Sequence, residues 1–68
     1  MGFTKIKTKE GKEISFRTQQ YQVGLYVIIN NDPSMQMTSN LSDDNYHKKI
    51  VKQAKKNGDE IIVSSVNH

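Results

Sequence analysis

An α+β fold, β-β-β-α-β in order, with one mostly antiparallel sheet and a single helix on one face, follows from three features of this 68-residue chain. Apolar and polar residues alternate with period two through "FTKIKTKEGKEISFRT", the mark of half-buried strands. A seven-residue apolar run, Val23 to Ile29, comes next. From Ser42 to Gly58 the period becomes helical, between residues that start and stop helices.

The first two strands form a hairpin whose register can be argued. A two-residue loop at Glu10-Gly11 would pair Ile6 with Ser15 and mix the faces. A three-residue loop, Lys9-Glu10-Gly11, places Gly11 at the left-handed position of a type I turn with a G1 bulge. It pairs Ile6 with Ile14, Thr4 with Phe16 and Lys7 with Glu13, and the faces then sort cleanly. "TQQYQ" is a short polar connection to the third strand, "VGLYVIINN", whose two faces are both mainly apolar, as in an inner strand. "NNDPSMQMTSN" holds the only proline and reads as a loop.

The helix starts at Ser42, a good N-cap, with Asp43 and Asp44 where the dipole favours negative charge. It stops at Asn57-Gly58, with Gly58 as the left-handed residue past the end. "DEIIVSSV" is the last strand, beside either the first strand or the third. One core is expected from Ile6, Ile14, Phe16, Leu25, Val27, Ile29, Tyr46, Ile50, Ala54 and Val63. A hydrophobic fraction of 34% in one domain spanning 1–68 implies modest stability or help from a partner.

Net charge is +3, and its distribution says more than its size. Residues 1–22 carry five Lys/Arg against two Glu, and residues 23–45 carry only three aspartates. "YHKKIVKQAKKNG", Tyr46 to Gly58, then holds five lysines and no acid. At about 100° per residue, Tyr46, Ile50, Ala54 and Val51 share one arc and the lysines fill the opposite one. A solvated face accounts for lysine as a helix former. It accounts less well for like charges at Lys48-Lys52-Lys56, spaced (i, i+4), where glutamate would have removed the repulsion. A second basic group lies on the outer hairpin face, where Lys5, Lys7 and Arg17 alternate with Phe3 and, if Leu25 points inward, Tyr26. Cations interleaved with rings suit phosphate contact and base stacking, although a wet sheet face is also ordinary.

Several classes of chemistry are left without candidates. There is no cysteine, so disulfides and thiolate metal sites are excluded and a reducing, cytoplasmic setting is expected. The longest apolar run is far short of the roughly 20 residues that cross a bilayer, and the first residues show no export signal. His47 with Asp43 four residues earlier could form a base and its orienting acid, or two ligands of a metal site that needs three or four. His47 lies at the edge of the apolar arc, which makes it a packed structural histidine, and His68 is terminal. No catalytic residue, metal ligand or cofactor is expected, and the chain is read as non-enzymatic.

The reading that follows is a small cytosolic nucleic-acid-binding or regulatory protein acting through basic surfaces. Lys48, Lys52, Lys55 and Lys56 would supply a helix surface, or Lys5, Lys7, Arg17 and Tyr26 a sheet surface, on opposite sides of the domain. The alternative is an interaction module or inhibitor, or a homodimer, whose basic helix meets an acidic protein surface. Tyr26 and Ile28 form an apolar strip through which two copies could associate.

Overall fold

The computed structural model describes residues 2–66; His68 lies outside the described residues. The order is β1 (Gly2–Lys7), β2 (Glu13–Tyr21), β3 (Gly24–Ile29), β4 (Asp32–Ser39), α1 (Asp43–Asn57) and β5 (Glu60–Ser64). The five strands make one sheet in the order β4-β3-β2-β1-β5, with every neighbouring pair antiparallel. The helix lies across one face, against β1 and β5 and reaching β2.

The β1–β2 hairpin has the expected register, with Ile6 opposite Ile14, Thr4 opposite Phe16 and Lys7 opposite Glu13. Its tip is Lys9-Glu10-Gly11, with Gly11 at φ 86° and its N–H donating to the Thr8 carbonyl at 2.9 Å. Gly2, Thr4 and Ile6 therefore face the helix, while Phe3, Lys5 and Lys7 point away from it. The same alternation carries into β3, where Leu25 and Val27 are fully buried and Tyr26 and Ile28 take the other side.

The segment 30–40, expected as a loop, contains β4, so the order is β-β-β-β-α-β. Asn30 and Asn31 both adopt φ 57°, the left-handed pair that closes a tight hairpin. Ser15 N–H donates to the Asn30 side chain at 3.0 Å, which anchors that turn to β2. β4 is an edge strand exposed along almost its whole length, so no burial pattern marks it in the sequence. Pro33 can be accommodated because an edge strand leaves one row of backbone donors unused. Asp32 accepts from the Ser34 N–H at 3.0 Å and from the Ser34 hydroxyl at 2.7 Å, where the ladder is irregular. Those bonds also hold the Asp32 carboxyl below its usual range.

The helix ends are as expected. Ser42 Oγ accepts from the Asn45 N–H at 3.3 Å, and Gly58 sits at φ 78°. Beyond it the Asp59 N–H returns to the Ala54 carbonyl at 2.8 Å, closing the last turn. The inward line is His47, Val51 and Ala54, one residue round from the expected line of Tyr46, Ile50 and Ala54. Tyr46 and Ile50 lie half-buried at the flank, where burial pushes the Tyr46 hydroxyl pKa up.

The apolar core comprises Ile6, Leu25, Val27, Val51, Ala54 and Val66. Of the other residues expected in it, Ile14, Phe16 and Ile29 are half-buried. Val63 is a correction: it is 46% exposed and sits opposite Lys5 on the uncovered face. A bulge in the β1–β5 ladder is the cause. Thr4 pairs with Ser64 and Ile6 with Ile61, so β5 uses one residue more than β1 over the same span. Ile61 and Ser64 thereby both face the helix, and Val63 is turned out.

Candidate nucleic-acid interface

The sequence-derived site residues fall on two surfaces. Phe3, Arg17 and Ile28 form one row across β1, β2 and β3 on the uncovered face, and Gln19 and Tyr26 begin the next row. Tyr21 meets Tyr26 edge to face, with ring centroids 5.9 Å apart and planes at 83°. Lys5 and Lys7 continue the face toward the hairpin tip, but acids accompany them. Lys5 Nζ lies 2.9 Å from Glu13 Oε1, a pairing that lowers the Glu13 pKa, and Lys7 stands between Glu13 and Glu60 in the ladder. Arg17 has no acidic neighbour across its row, only Phe3 and Ile28. These paired glutamates, half-visible in the sequence as the Lys7–Glu13 pairing, make the sheet cations weaker than their number suggests.

The helix surface is different. Lys48, Lys49, Lys52, Lys55 and Lys56 are all exposed on the side away from the sheet. Of the two acids in the first turn, Asp44 stands 3.9 Å from Lys48. Asp43 is turned toward the sheet instead, bonded to Thr18. The inward turn of Asp43 leaves Asp44 as the one acid of the helix itself on the surface that carries the five lysines. The helix and the uncovered sheet face lie on opposite sides, so Lys52 and Tyr26 do not belong to one site. A cleft of about 500 Å³ between the hairpin tip and the end of α1 brings Lys9 and Lys56 together. Glu10 and Asp59 line it too, so its charge is balanced.

The residues with most capacity for acid–base chemistry form a third group, enclosed under the helix. His47 is fully buried, with Nδ1 2.7 Å from Thr4 Oγ1 and Nε2 2.8 Å from Thr18 Oγ1. Thr18 donates its hydroxyl proton to Asp43 Oδ1, which itself lies 3.4 Å from Nε2. The directions follow from proton counting. Because Thr18 has given its proton to Asp43, it accepts from Nε2–H, so Nδ1 is the bare nitrogen and accepts from Thr4. Thr4 then accepts from Ser64, 2.9 Å away. The chain runs Ser64 → Thr4 → His47 → Thr18 → Asp43 and binds β5, β1, α1 and β2 together. Burial lowers the His47 pKa, against the opposing pull of Asp43 and Asp44, so the ring is neutral at pH 7. The Asp43–His47 spacing was readable in the sequence; the two threonines were not, since nothing local marks a strand threonine as a ligand of a ring.

Among the described residues no group of three or more metal-binding side chains occurs, and no helix is long and apolar enough to cross a membrane. No family model, no curated protein and no solved structure matches this chain.

Proposed function

We propose that this is a small, non-enzymatic nucleic-acid-binding protein of the cytoplasm that holds phosphates with the lysines of α1. The observation that carries the reading is the imbalance on the helix surface: five exposed lysines face outward, while one of the two acids on the same helix is turned into the sheet. Like charges on one face cost helix stability, and an anionic partner removes that cost. The non-enzymatic part rests on His47, which is sealed from solvent with both ring nitrogens engaged.

Fluorescence anisotropy with single- and double-stranded DNA and RNA at about 50 and about 200 mM salt tests this directly. Binding that weakens steeply with salt is expected, because each neutralised phosphate releases counterions. Absence of binding to all four at the lower salt rejects the reading and leaves an acidic protein surface as the partner of the helix.

A further inference from the structure

The chain has five aromatic residues, and three of them, Phe3, Tyr21 and Tyr26, lie on the sheet face that α1 leaves uncovered. The other two, Phe16 and Tyr46, are half-buried, as Phe3 and Tyr26 are on their own face, and Tyr21 is exposed. The largest fully enclosed side chains are Leu25, His47, Val27, Thr4 and Thr18, with no phenyl or phenol ring among them. Rings bury more apolar area than any other side chain, so a small core would be expected to recruit them. Here they stand opposite the core, around the exposed Arg17.

We infer that this face is a stacking platform for single-stranded nucleic acid, with bases on Tyr26 and Phe3 and a phosphate on Arg17. The inference rests on the nucleic-acid reading and adds the form of nucleic acid and a second surface. Charge and geometry both select the occupant. Arg17 is directly opposite Phe3 and diagonal to Tyr26, so its planar fork can hold a phosphate between two bases. Tyr21 and Tyr26 meet edge to face, and Tyr26 is half-buried rather than enclosed, so part of its surface is open to a base. With strands ~4.8 Å apart and a rise of ~3.4 Å per residue, Phe3 and Tyr26 are separated by about 12 Å. Bases that reach both rings must be splayed apart, which a single strand permits and a stacked duplex does not. A sheet face five strands wide also offers no helix or two-stranded ribbon to enter a duplex groove. A second copy of the chain fits less well, since Arg17, which has no acid across its row, would meet the same cation of the other copy.

The test uses a fluorescein-labelled thymidine oligomer, an abasic oligomer of equal length and a hairpin duplex. Tyrosine emission reports stacking, because the chain has no tryptophan. The thymidine oligomer should bind at least about tenfold tighter than the abasic one and quench tyrosine emission, as base–aromatic stacking predicts. Tyr26→Leu and Phe3→Leu should remove most of that preference. The exposed Arg17→Ser, which leaves the core untouched, should weaken binding even if a ring variant folds poorly. Lys52→Glu/Lys55→Glu should leave the preference for bases in place. Equal binding of thymidine and abasic oligomers without quenching overturns the inference but leaves the helix reading standing. Loss of all binding overturns both, and a dimer that keeps this face closed to the oligomer overturns the platform.

Discussion

His47 shows how one side chain can tie four elements together and what that costs. Its neutrality sets a pH dependence whose sign is fixed. The ordinary histidine pKa, 6.5, applies to the unfolded chain, and the folded value lies below it because burial dominates. Below about pH 6.5 the unfolded chain therefore binds more protons, and stability falls with pH until the folded ring titrates. Thermal melts between pH 8 and 5 should show this slope, and His47→Asn should lose it. The direction of the chain gives a second test. Thr18→Val removes the hydroxyl that bridges His47 Nε2–H to Asp43 and should cost about 1–3 kcal/mol. Ser64→Ala removes a donor to Thr4 and an acceptor for the Val66 N–H, both at the half-buried end of the chain, and should cost less in the same denaturant titration. Gly2 is constrained by the same group: a methyl there would collide with His47 Nε2 and Asp43 Oδ1. Gly2→Ala should destabilise by about 1–3 kcal/mol, as overpacking does, measured by the shift in melting temperature. The histidine–aspartate pair was legible from its spacing. The threonines and the glycine were not, because their roles come from β1 and β2 lying under the helix.

At the scale of elements, local chemistry was the reliable part of the sequence. Gly11, Ser42 and Gly58 each sit in the conformation their type requires, and the hairpin register follows from keeping lysines out of the core. What failed was whatever burial alone could mark. β4 is too exposed to show alternation, and the bulge in β5 changed which side Val63 takes. The helix phase was off by one residue because a histidine, not an aliphatic residue, occupies the central inward position. The phase can be checked. Val51 is 5% exposed while Ile50 is half-buried, so Val51→Ala should cost about 2 kcal/mol from lost burial and cavity. Ile50→Ala, although it removes more carbon, should cost no more than Val51→Ala in chemical denaturation. A larger loss at Ile50 would mean that the helix packs on its other line.

Across the whole molecule, the class of fold was legible because strands, helix and their boundaries all signal locally, whereas the position of β5 beside β1 depends on a crossover that no single segment specifies. Charge was legible as two blocks, but its balance was not. Glu13 and Glu60 moderate the sheet lysines, and the inward turn of Asp43 strips the helix surface of an acid. The helix therefore carries the larger excess of positive side chains over acids, and the proposal is that this charge holds nucleic acid. Lys52 and Lys55 are exposed, so Lys52→Glu/Lys55→Glu should leave the melting temperature nearly unchanged. The decisive measurement is the salt dependence of duplex binding for this double variant against the parent, because a duplex engages phosphates without the sheet rings. The account predicts weaker binding and a log–log salt slope smaller by about 2, one for each phosphate contact removed. An unchanged affinity and slope would contradict it.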